Sequence, residues 1–114
     1  MLAHAFRFHG YGSLNYVYKQ GELVRGPLCS LRYVLNTRRK SARVAVVVSK
    51  KVHKSAVVRN RIRRRIYELV RQQQPAITEP YDIVFTIFSD KVATVTQAEL
   101  TSTITDQLRK AHII

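Results

Sequence analysis

Tryptophan is absent from this 114-residue chain, methionine and cysteine occur once each, and there are only four glycines and three prolines. So few glycines and prolines rule out a low-complexity or fibrous chain, and they act as punctuation between elements. A single cysteine, Cys29, permits no intramolecular disulfide, and its place in an apolar-to-polar alternation reads as a buried or half-buried thiol. Acids are scarce. The seven carboxylates are Glu22, Glu68, Glu79, Asp82, Asp90, Glu99 and Asp106. Two-metal hydrolysis needs carboxylates converging on ions ~4 Å apart. These mostly fall in separate elements and form no D-x-D cluster, so an independent metal nuclease is disfavoured. His4, His9 and His112 lack metal-ligand spacing. His53, near Lys51 and Lys54, leaves metal-free RNA cleavage conceivable, although a lone histidine in a basic turn is more often a phosphate or solvent contact. No apolar run approaches the ~20 residues of a membrane span, and residues 1–12 lack the apolar stretch of a signal peptide. Cytoplasmic residence is the expectation.

What is abundant is positive charge. Lys and Arg number 20 against seven Asp and Glu, a net charge of +13. A globular domain bears such self-repulsion at some cost in stability, which a polyanionic partner relieves, and nucleic acid is the commonest one. The charge is uneven, because 13 of the 20 cations and the single acid Glu68 fall between Arg38 and Arg71. Hydrophobic residues make up 46% of the chain, which argues against a disordered basic tail. The length fits one domain over residues 1–114, able to bury roughly two-thirds of its unfolded surface.

Residues 1–12 are aromatic and basic without a period and read as an N-terminal arm packed across the domain. Ser13 is a plausible N-cap for a short helix carrying Leu14, Val17 and Tyr18, closed by Gly21. Glu22 to Arg25 suits a short strand before a Gly26-Pro27 turn. Leu28 to Leu35 alternates as a strand with one buried face. Asn36 to Ser41 is polar and basic, as an exposed hairpin loop would be. Arg43 to Ser49 is nearly continuous in β-branched residues and predicts a central strand. From Ala56 to Gln74, Val58, Ile62, Ile66, Leu69 and Val70 share one helical face until Pro75. Tyr81 to Phe88 predicts another strand. Thr96 and Glu99 form a capping box ahead of a last helix with Leu100, Ile104, Leu108 and Ala111 on one stripe. The order α-β-β-β-α-β-α predicts an α/β two-layer sandwich.

The informative stretch is V-S-K-K-V-H-K-S-A-V-V-R-N-R-I-R-R-R-I-Y-E-L-V-R. A strand runs into a lysine-rich turn (Lys50, Lys51, Lys54) and then a helix with one apolar and one cationic face. Like charges at i, i+3 and i+4, such as Arg61 against Arg64 and Arg65, destabilise an isolated helix by about a few tenths of a kcal/mol per pair. Lying against phosphate removes that penalty, and the arginine fork matches phosphate oxygens. A solvated basic face is the plain alternative, but the density and the lack of interleaved acids favour a polyanion. DNA stays open on this feature alone, because a helix can enter the B-form major groove. Against A-form RNA it would track backbone and shape.

V-S-K-K-V-x-K-S-A-V-V-R-N-R-I-R-R resembles the signature of the bacterial ribonuclease P protein component, whose hallmark is an R-N-R helix following a strand that ends in S-K-K. S-L-N-Y-V-Y-K-Q-G, ending at Gly21, is similar to that family's first helix. The likeness covers about Phe6 to Ala111 and is densest from Val46 to Arg71. It implies a ribosomal-protein-like fold with a left-handed βαβ crossover, against the usual right-handed rule. It implies a helix whose Arg59, Asn60, Arg61, Arg63 and Arg64, with the nearby Lys54, dock on a catalytic RNA. It also implies a cleft for the single-stranded 5′ leader of precursor tRNA, lined by Leu14, Tyr18, Arg32, Val46 and Val48 and edged by Lys50 and Lys51. Family members typically carry Phe where Leu14 stands and often an aromatic where Arg32 stands. Leu14 cannot stack on a base, an interaction worth ~1–3 kcal/mol, so the leader contact shifts toward Tyr18 and charge. No catalytic residue of this chain is implied. The RNA would carry the cleavage, with Mg²⁺ held mainly by RNA, and the partners would be that RNA and precursor tRNA, with no membrane and no obligatory protein partner.

A ribosomal protein or general RNA chaperone would share the charge and the fold class but leaves the R-N-R motif unexplained. A membrane-surface helix is disfavoured, because Val58 to Val70 carries the apolar face of a core helix without Trp or Phe anchors.

Overall fold

The computed structural model describes residues 11–114. Helix α1 (Tyr11–Gln20) leads into strands β1 (Glu22–Arg25), β2 (Cys29–Leu35) and β3 (Arg43–Val47). The long helix α2 (Ala56–Gln73), strand β4 (Tyr81–Ile87) and helix α3 (Gln97–Lys110) follow. Short 3₁₀ turns at Gln74–Ala76 and Asp90–Ala93 flank β4. Most of a predicted arm over residues 1–12 lies outside the described residues, but Tyr11 and Gly12 already belong to α1. Ser13 is therefore inside the first turn of α1 and is not its N-cap.

The four strands are ordered β1-β2-β4-β3. β1 and β2 form an antiparallel hairpin, β2 and β4 are antiparallel, and β3 runs parallel to β4. This order corrects two expectations. Asn36 to Ser41 is no hairpin loop, because β4 inserts between β2 and β3 and the segment has to pass across its end. β3 is an edge strand, not a central one. It reads as central because both its faces are covered. Val44 and Val46 face the main core, and Ala45 lies on the opposite side beneath Val17 of α1. Its outer edge is also occupied, since the Val46 amide donates to the Tyr67 hydroxyl at 3.2 Å.

The two-layer body is the sheet with α2 and α3. Ile62, Ile66, Leu69 and Val70 of α2 and Leu100, Ile104 and Leu108 of α3 pack on Leu31, Ile83, Phe85 and Ile87. The caps follow the sequence signals. Ser55 Oγ accepts from the Val58 amide, and Thr96 Oγ1 accepts from the Glu99 amide at 3.2 Å. Pro75 falls in the 3₁₀ turn that terminates α2. Buried Gln107 fastens α3 to the β1–β2 hairpin, donating to the carbonyls of Val24 (3.3 Å) and Cys29 (3.0 Å) and accepting from the Cys29 thiol. Gly26 leaves room for it, since a Cβ there would meet the Gln107 side chain at 2.6 Å.

α1 lies on the other face. Val17 contacts Ala45 and Val84, with Leu14, Val34 and Val47 packed around them. Gly21 ends the helix against β2, where a Cβ would stand 2.9 Å from the Tyr33 carbonyl oxygen. α1 is only ten residues long, so among the described residues it covers part of this face and leaves the rest open.

Candidate nucleic-acid interface

Five arginines stand between Arg59 and Arg65, and the structure divides them. Arg59 donates to the carbonyls of His53 (3.0 Å) and Lys54 (2.8 Å), pinning the lysine-rich turn to the start of α2. Arg63 bridges Asn60 Oδ1 at 2.7 Å and the Val48 carbonyl at 3.4 Å. Arg65 donates to the carbonyls of Val92 and Val95, both at 2.7 Å, and ties α2 to the turn before α3. Arg61 and Arg64 are exposed, and neither has a polar partner among the described residues. They share the outer face of α2 with Asn60. Glu68, the one acid in this stretch, is engaged by Arg71 at 2.9 Å, which holds its carboxyl down to about 2. Glu68 is therefore anionic throughout the physiological range and its charge is engaged by Arg71.

The turn between β3 and α2 presents Lys50, Lys51 and Lys54 to solvent. His53 is occupied there, its Nδ1 accepting from the Ser55 amide at 3.0 Å. Among the described residues no three His, Cys, Asp or Glu side chains converge to hold a metal ion. Buried Asp82 accepts from Arg43 Nε and Nη2, each at 2.9 Å, and from Asn36 Nδ2 at 2.9 Å.

The second surface is the open sheet face beside α1. Tyr18 projects onto it and its hydroxyl meets Thr86 Oγ1 at 3.3 Å. Arg32 lies with its guanidinium carbon 5.9 Å from the Tyr18 ring centroid and donates to the Tyr18 carbonyl at 3.4 Å. Leu14 is half-buried at the base. Lys50 and Lys51 lie exposed in the turn that follows β3, whose last residue, Val47, pairs with Thr86.

Val46 and Val48 do not belong to the cleft. Both are buried in the main core on the α2 side. Strand residues alternate between faces, so a reading displaced by one position selects the wrong set. The β3 residues on the α1 side are Arg43, Ala45 and Val47, and β4 adds Thr86 beside Tyr18. Thr86 was legible as the one polar residue inside I-V-F-T-I-F. The parity of Val47 only becomes visible once its pairing is known.

Comparison with known proteins places this architecture. Residues 4–112 match the family model described as Ribonuclease P. A relative named ribonuclease P protein component, from Chloroflexus aurantiacus, is 36% identical over 110 residues, covering 96% of this chain and 80% of the relative. A mutant of the Staphylococcus aureus RNase P protein superposes with a TM-score of 0.86 at 24% identity, covering 96% of this chain and 91% of that one. The RNase P protein from Thermotoga maritima gives a TM-score of 0.81 at 20% identity, covering 91% and 96%. The two solved structures establish a shared fold. With the family match over nearly the whole length and the Chloroflexus relative, they show that this chain belongs to the ribonuclease P protein component family.

Proposed function

We propose that this chain binds the catalytic RNA of ribonuclease P through the outer face of α2 and takes the 5′ leader of precursor tRNA on the open sheet face beside α1. The observation carrying this reading is the division of labour among the arginines. Three serve the fold, while Arg61 and Arg64 are held exposed, without a polar partner among the described residues, where like-charge repulsion works against them. A phosphate backbone supplies the missing counter-charge.

The chemistry then belongs to the RNA. Mg²⁺ held by the RNA would supply an activated water for attack at the scissile phosphate, and among the described residues of this chain no three His, Cys, Asp or Glu side chains converge to take over that role. The protein's cations offset phosphate repulsion, so cleavage needs less Mg²⁺. Tyr18 and Arg32 give a base two stacking surfaces, an aromatic ring and a guanidinium plane. Leader binding separates precursor from mature tRNA.

The deciding experiment is cleavage of precursor tRNA by a bacterial ribonuclease P RNA at low Mg²⁺, with and without this protein. Cleavage at the mature 5′ end only when both are present supports the reading. Cleavage by the protein alone overturns it. In the same assay Arg61→Ala with Arg64→Ala should weaken RNA-subunit binding by about tenfold or more and reduce the log–log salt slope by about 2. Wild-type affinity would place docking elsewhere.

A further inference from the structure

The open sheet face continues past Tyr18. Arg25 pairs with Ser30, and Ser30 pairs with Thr86, so all three project from the same face. That face is the α1 side, because Thr86 touches Tyr18. The Arg25 guanidinium carbon lies 5.9 Å from the centroid of the Phe88 ring. Phe88 follows the end of β4, where its amide donates to the Leu28 carbonyl at 3.2 Å and fixes its backbone beside the β1–β2 hairpin. The ring is 47% exposed.

A single exposed apolar residue needs no explanation. This one, however, carries a cation and repeats the Arg32–Tyr18 arrangement on the same side of the sheet at the same distance. Thr86, which touches Tyr18, and Phe88 are two residues apart, a step of about 7 Å along a strand. The only acid that the strands place on this face is Asp82, and Arg43 and Asn36 already hold it. Repeated aromatic–guanidinium pairs on a face without free acids are the construction that binds single-stranded nucleic acid with little sequence preference. A docking protein would need acids to meet Arg25 and Arg32.

We propose that Arg25 and Phe88 form a second base-stacking site that extends the single-stranded RNA track from Tyr18 and Arg32 toward the β1–β2 hairpin. It rests on the leader-binding reading and adds a nucleotide position to it. The occupant is a further nucleotide of the same leader.

The test uses the reconstituted holoenzyme and precursor tRNAs whose leaders are lengthened one nucleotide at a time. Affinity is measured for the wild type, Phe88→Ala, Phe88→Trp and Arg25→Ala, with thermal melts confirming that each variant folds. Wild type should gain affinity in steps as the leader grows. Phe88→Ala should lose at least about fivefold of the later step, Phe88→Trp should retain it, and Arg25→Ala should lose part of it. If the wild type gains in steps and Phe88→Ala gains equally, the second site is wrong while leader binding stands. A Phe88→Ala loss that is uniform across all lengths would also overturn it, pointing to RNA-subunit docking. A wild type indifferent to the leader would overturn both.

Discussion

Cys29 is the residue where chemistry and packing are most clearly separated. It is fully buried, its Sγ–H donates to Gln107 Oε1 at 3.3 Å, and burial pushes the thiol up to about 12. Its folded pKa is raised, so its contribution to stability is complete below the ordinary thiol pKa near 8.5 and is lost as pH climbs toward 12. A thiol reagent at pH 8 should therefore modify the native protein only at the rate at which it opens, and the unfolded protein at the rate of a free thiol. Fast labelling of the native state, followed by absorbance, would contradict the buried placement. The sequence alone suggested a buried or half-buried thiol from the alternation around Cys29. Its partner Gln107 was invisible, because it lies 78 residues away.

At the scale of elements, α2 is joined to the rest of the molecule by its flanking arginines as well as its apolar face. Arg65 satisfies the carbonyls of Val92 and Val95, and Val92 is fully buried. Arg65→Ala should cost about 2 kcal/mol in urea unfolding while leaving the salt slope of RNA binding unchanged. A reduced slope would mean that Arg65 also reaches phosphate. The helical period and the cap at Ser55 made α2 legible in advance, because both signals are local. The same period could not sort Arg59, Arg63 and Arg65 from Arg61 and Arg64, since the carbonyls that capture the first three belong to other segments. The placement of β3 failed for a related reason. A run of Val and Ala buried on two faces looks alike at the centre of a sheet and at an edge closed by a helix and a tyrosine.

For the whole molecule, the net charge of +13 is an electrostatic load on the folded state. Raising salt from ~0.01 M to ~0.15 M shortens the screening length from about 30 Å to about 8 Å. The melting temperature of the free protein should rise over that range, and affinity for RNA should fall steeply over the same range. A melting temperature that drops with salt would show that attractive pairs outweigh the repulsion. Two such pairs, Arg43–Asp82 and Arg71–Glu68, are small against that load.

By itself the sequence determined the polyanionic partner class, the identity of all seven helices and strands, the apolar stripes of α2 and α3 and the family motif, because each depends on composition or on residues within a few positions of one another. Only the tertiary structure decided which arginines of α2 lack a polar partner among the described residues, that β4 separates β2 from β3, and that Val47 and Thr86, rather than Val46 and Val48, face α1. Strand order and parity are set by long-range pairing. A one-residue shift costs nothing in a local pattern of consecutive valines, yet it turns every side chain to the opposite face.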